Sequence, residues 1–177
     1  MIAGLASPLT PGHSGEMSFD AAPITNPAVD YAELDNAARA LVDGESDRVA
    51  NAANLSALVY QALPQVNWAG FYFFDGDELV VGPFQGKPAC VRIPLDRGVC
   101  GAAARTRTTQ RVADVHAVPD HIACDADSRS EIVVPLVDDD GALIGVFDLD
   151  SPVPDRFDDD DQAGLEALAA TFVASLR

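Results

Sequence analysis

Apolar residues recur along this chain at two different periods, and the change of period marks out its elements. From Ala28 to about Val42, the residues Tyr31, Leu34, Ala38 and Leu41 return at helical spacing. A second helix is predicted from about Asp47 to Leu63, with Val49, Ala52, Leu55, Leu58, Val59 and Ala62 as its apolar stripe and Pro64 as its stop. The period then falls to two. Strands are predicted at NWAGFYFFD (67–75), ELVVG (78–82), CVRIP (90–94), TTQRVADV (108–115), EIVVPLV (131–137) and ALIGVFDLD (142–150). A short helix entered through Gly98 interrupts them, and a polar loop runs from His116 to Ser130. The last two strands flank the acidic turn DDDG. A final helix begins near Arg156, with Asp158 to Asp161 at its positive end and Leu165, Leu168, Phe172, Val173 and Leu176 on its buried face.

Strands in antiparallel hairpins with helices at both ends make an α+β domain with one central antiparallel sheet of about six strands. The domain is predicted over residues 28–177. Residues 1–27 are rich in Pro, Gly, Ser and Thr, show no period, and read as a flexible N-terminal tail. At 177 residues one domain is expected, and no repeat suggests another.

Charge narrows the function classes. The chain carries 28 acidic against 11 basic residues, a formal charge of -17, which disfavours nucleic-acid binding. Salt adaptation or base-composition bias would both account for the acidity. No apolar run approaches the roughly 20 residues that span a bilayer, and the N-terminus lacks the basic segment of a secretory signal. A cytoplasmic location is therefore expected. The three cysteines show no metal-ligand spacing, so no structural metal is expected.

The candidate chemistry lies at element ends. On a strand, residues two apart share a face, so Ile144, Val146, Asp148 and Asp150 are predicted to point the same way. The two aspartates either emerge into solvent or line a cavity that binds something polar. Glu131 opens the partner strand and can approach them. Grouped carboxylates raise one another's pKa, or hold a ligand ammonium group. Cys124 sits in the polar loop with His116 and His121, and Cys90 follows the loop FQGKPA. Cys100 lies beside Arg97 at a helix N-terminus, where a thiolate is stabilised. Trp68, Gly70, Tyr72 and Phe74 share one strand face, with Phe71 and Phe73 on the other. Trp68 and Tyr72 are either core or the wall of a pocket.

The series NWAGFYF, GPFQGKPAC, GVCG, DVHAVPDHIACD, SEIVVP and GVFDLDS closely resembles the free methionine-(R)-sulfoxide reductases, which are built on a GAF domain. The likeness runs from about residue 30 to residue 177 and includes three cysteines, each in its own motif. It implies a single GAF domain that needs no metal or organic cofactor. A cysteine attacks the sulfoxide sulfur, is left as a sulfenic acid, and is captured by a second cysteine as a disulfide that thioredoxin reduces. By the same matching, Cys124 is the nucleophile, Cys90 the resolving partner and Cys100 a further recycling thiol. The helix-terminus argument keeps Cys100 as a rival nucleophile. Glu131, Asp148 and Asp150 would hold the substrate ammonium and manage the sulfoxide oxygen, while Trp68 and Tyr72 wall the methyl-sulfur end. The implied partners are free methionine sulfoxide and thioredoxin; a homodimer stays open. The alternative is a non-catalytic GAF sensor domain that binds a small molecule.

Overall fold

The computed structural model describes residues 28–118 and 126–177. The predicted tail, together with His121 and Cys124, lies outside the described residues. Four helices and six strands follow in the order α1 (Tyr31–Val42), α2 (Arg48–Ala62), β1 (Trp68–Phe74), β2 (Glu78–Gly86), β3 (Arg92–Pro94), α3 (Gly98–Thr106), β4 (Gln110–Val112), β5 (Ser130–Val137), β6 (Leu143–Ser151) and α4 (Asp159–Ser175). The strands form one sheet in the order β3-β2-β1-β6-β5-β4, with every neighbouring pair antiparallel. The fold is the α+β architecture that the periodicity predicts. No helix of the described residues is long and apolar enough to cross a membrane.

Period-two alternation gives the sheet two buried faces. Ala69, Phe71 and Phe73 of β1, Ile132, Val134 and Leu136 of β5, and Phe147 and Leu149 of β6 pack under α1, α2 and α4. Trp68, Tyr72, Val133 and Val146 face the other way, under α3. Both central strands, β1 and β6, are therefore covered on both sides, which is why they read as nearly continuous apolar runs.

Several predicted details change. Leu41 and Val49 are 44% and 53% exposed, although their spacing placed them on apolar stripes. α1 instead buries Leu34, Ala38 and Val42, and Val49 sits in the first turn of α2, before its packed stretch begins. Ile144 does not share the face of Val146, because the register slips between Leu136 and Val137 and turns Ile144 toward the helices. β2 runs past its predicted end to Gly86, through a register shift opposite Gly70–Tyr72 that absorbs Pro83 as an irregularity rather than a stop.

A buried ion pair ties the helical layer together. Arg156 and Asp161 meet at 2.7 Å, with side chains 2% and 6% exposed. Arg156 Nε also donates to the Pro64 carbonyl oxygen, and the Tyr31 hydroxyl donates to Asp161 Oδ1 at 2.6 Å. Asp161 further closes a capping box with Asp158 at the start of α4. The Tyr31 ring lies so flat across α4 that a Cβ on Gly164 would come within 2.1 Å of it. Arg156 precedes α4 rather than opening it, and is buried. Removing one member of such a pair strands the other charge in the interior. Arg156→Ala is expected to lose about 3–5 kcal/mol of stability, and Tyr31→Phe about 1–2 kcal/mol. Urea denaturation checks both; a loss below the Tyr31→Phe value for Arg156→Ala would refute the role of the hub.

Candidate functional site

The site forms on the α3 side of the sheet, at the end where β5 begins and β6 finishes. Glu131 pairs across from Asp150, Val133 from Asp148, and on the other side Gly70 from Asp148 and Trp68 from Asp150. Residues directly opposite in an antiparallel ladder share a face. Glu131, Asp148, Asp150, Trp68, Gly70 and Tyr72 therefore look the same way; alternation predicts this within each strand, and the register joins the strands. Of the two readings of the acids, solvent or cavity, Glu131 and Asp148 follow neither simply: both are buried, each 5% exposed, and only Asp150 is half-buried.

Cys100 closes the site from above. α3 starts after Arg97, and its third residue, Cys100, is 4% exposed. Its Sγ lies 3.8 Å from Glu131 Oε1. α3 can come this close because Gly101 has no side chain: a Cβ there would sit 2.7 Å from the Pro94 carbonyl oxygen. The stabilised thiolate expected of Cys100 from its helix terminus is not what its surroundings produce. Burial, then the charges of Asp148, Glu131 and Asp150, push the thiol well above its ordinary value. The helix dipole is outweighed by carboxylates in direct reach.

The carboxyls are perturbed in the same direction. Burial, then the charges of Asp148 and Asp150, raises Glu131 well above the carboxylate range, against a smaller lowering from Cys100. Burial, then Asp150, raises Asp148 likewise, against a smaller lowering from its hydrogen bond with Cys100. Asp148 Oδ1 is buried and meets no hydrogen-bond donor among the described residues. The arrangement can hold a proton at neutral pH, or accept a cationic group that replaces it.

Trp68 and Tyr72 are 3% and 1% exposed and belong to the core of this face, so the two readings of these residues merge. Their rings stack with centroids 5.7 Å apart, and Phe84 stacks on Trp68 from the other side at 5.2 Å. Burial, then the charge of Asp148, raises the Tyr72 hydroxyl, which places the ring beside the acids. Their polar tips hold the segment before β3: Trp68 Nε1 donates to the Lys87 carbonyl oxygen and the Tyr72 hydroxyl to that of Cys90, each at 3.2 Å. Cys90 is disulfide-bonded, whereas Cys100 is a free thiol. Lys87 also pairs with Asp127 at 2.5 Å, joining this segment to the chain before β5. His116, in a single 3-10 turn at 115–117, is exposed.

Two contributors escaped the sequence reading. Phe84 was placed in a loop, yet it completes the aromatic stack. Gly70 lies directly opposite Asp148, and a Cβ there would meet Phe84 Cβ at 2.3 Å and the Trp68 ring at 2.7 Å. A glycine in the middle of an aromatic strand is the signal that could have shown it, since it marks a close approach of neighbouring groups.

Comparison with known proteins places the fold in a family. The GAF domain family profile matches residues 49–177. The free methionine-R-sulfoxide reductase of Escherichia coli (strain K12) is 54% identical over 140 residues, covering 79% of this chain and 84% of that protein. The solved structure of fRMsr of Staphylococcus aureus in complex with substrate is 48% identical, with a TM-score of 0.82, and the match covers 86% of this chain and 99% of that one. A crystal structure described as a GAF sensor protein, from Burkholderia vietnamiensis, is 67% identical with a TM-score of 0.80, covering 83% of this chain and 96% of that one. The chain therefore belongs to the GAF domain family and, within it, to the free methionine-R-sulfoxide reductases, a family of oxidoreductases.

Proposed function

We propose that this chain reduces the R sulfoxide of free methionine to methionine, with Cys124 as nucleophile and Cys90 as resolving cysteine. The observation that carries the reading is Asp148: a carboxyl 5% exposed, with an oxygen that meets no donor among the described residues, beside Glu131 and an aromatic wall. A buried acid in this state calls for a cation, and the ammonium group of a free amino acid supplies one. Glu131, Asp148 and Asp150 take that ammonium, and the rings of Trp68 and Tyr72 face the methyl-sulfur end. A peptide-bound methionine has an amide in place of the ammonium and would leave the acids unpaired.

In the reaction, the Cys124 thiolate attacks the sulfoxide sulfur while one of the raised carboxyls protonates the departing oxygen. Methionine is released, and Cys124 is left as a sulfenic acid carrying that oxygen. The Cys90 thiol then displaces water to form a disulfide, and the two electrons are restored by an external dithiol, thioredoxin. The disulfide at Cys90 and the free thiol at Cys100 support Cys90, rather than Cys100, as the resolving cysteine. The raised Cys100 thiol argues against Cys100 as the attacker. No bound cofactor enters this reaction.

The acid cage also sets a pH dependence. Glu131 and Asp148 bind protons more tightly in the fold than at their ordinary values of 4.5 and 3.8. Their contribution to stability is therefore fully present below those values and is lost as pH rises through the raised ones. Thermal melts of the unliganded protein from about pH 5 to about pH 8 should show wild type losing stability more steeply than Asp148→Asn. Equal slopes would mean that the cage is not strained.

Methionine release from the separated epimers of free methionine sulfoxide, with dithiothreitol as reductant, tests the activity itself. Turnover of the free R epimer is expected, with kcat/KM lower by at least about 100-fold for the N-acetylated substrate. No turnover of either epimer, with all thiols reduced, would overturn the enzymatic reading in favour of a binding domain. Cys124→Ser should abolish turnover while retaining substrate binding. Methionine produced in a single turnover by that variant would move the nucleophile to Cys100.

A further inference from the structure

Cys100 has no step in the proposed reaction, yet it occupies the centre of the acid cage. Its Sγ and one carboxylate oxygen each from Glu131 and Asp148 all lie within 4.8 Å of one another, and the Cys100–Glu131 separation is 3.8 Å. The three residues come from α3, β5 and β6, elements fixed by the sheet and by the close contact at Gly101. Thiolate and carboxylate ligands bind zinc at about 2.3 Å and about 2.0–2.2 Å, so a sulfur and an oxygen on one ion stand ~3.5 Å apart. Small side-chain adjustments bring this trio to that spacing. A second observation points to a ligand: Asp148 Oδ1 is buried and meets no donor among the described residues.

We infer that Cys100, Glu131 and Asp148 form a binding site for a thiophilic divalent cation such as zinc, which occupies the same cage as the substrate ammonium. On binding, the Cys100 thiol and the carboxyls release the protons they hold to solvent, and the sulfur coordinates the ion, with one oxygen from each carboxylate completing three positions of a tetrahedron. The fourth lies open to water or to Asp150, which is next on the same strand face and half-buried. The metal chemistry stands on these three side chains alone. Competition with substrate rests on the ammonium placement proposed above. An ion held here blocks the amino-acid end of the site, so the site reports free zinc as well as methionine sulfoxide.

Cobalt(II) is the probe, because a cysteine ligand gives it a sulfur-to-metal charge-transfer band. The full chain is used in its oxidised form, with one free thiol per chain confirmed by titration, so that the Cys90 disulfide removes its two sulfurs from consideration. Wild type is expected to develop the band at one cobalt per chain and lose it on addition of zinc. Cys100→Ser should abolish the band, and Asp148→Asn should weaken cobalt binding by at least about 10-fold; near-ultraviolet circular dichroism verifies the fold of both. No band in wild type, or an unchanged band in Cys100→Ser, overturns the site. Free methionine should raise the apparent cobalt Kd. A band that forms normally but ignores methionine would overturn the competition and the ammonium placement while leaving the metal site standing.

Discussion

The structure depends on the way β6 is buried on both faces. This strand lies between β1 and β5, so neither its edges nor its faces have free access to water. Its alternate residues serve two interiors: Phe147 and Leu149 pack under the helices, while Val146 and Asp148 pack under α3. An aspartate at that register must be neutralised by a proton or by a cation. Glu131 on the neighbouring strand and Asp150 two residues on make the demand stronger, because each charge opposes the next. The chemistry available to this face follows from that constraint.

The two sides of the sheet handle buried acids in opposite ways. On the helical side Asp161 is saturated by the Arg156 guanidinium, the Tyr31 hydroxyl and the Asp158 backbone N–H. That network locks α4 against α1 and against the turn after α2, and leaves nothing to bind. On the other side Asp148 is left with an oxygen that meets no donor among the described residues. Completed networks specify a fold, whereas an incomplete one costs stability and is retained where a ligand completes it. The helical layer thus carries the rigidity that lets the acid cage stay strained.

The aromatic pair links this cage to the segment that ends at Cys90. Trp68 and Tyr72 lie on the same sheet face as the acids and use their N–H and O–H to hold the backbone at Lys87 and Cys90. One pair of side chains therefore positions both the apolar surface beside the cage and the segment that carries the disulfide. Gly70, between them, permits the stack by leaving room for Phe84 and the Trp68 indole.

Local periodicity alone was enough to indicate the order of helices and strands, the antiparallel α+β class, and that Trp68 and Tyr72 share one face of their strand as Asp148 and Asp150 share one face of theirs; the register that joins the two pairs is tertiary. A side chain's direction on a strand is a property of the backbone and needs no partner to define it. Its surroundings are not local. Whether Asp148 met water or the interior depended on α3 packing across the sheet, which brought Cys100 from a different stretch of chain to the same carboxyls. The same packing reversed the expected state of Cys100, because nearby buried charges outweigh a helix dipole. The exposure of Leu41 and Val49 likewise followed from how the helices pack on the sheet, whereas the slip at Ile144 lies within one hairpin and Arg156 reaches Asp161 only five residues on. Sequence determined which way each residue points; tertiary structure decided what it meets there, because burial and charge act through space and not along the chain.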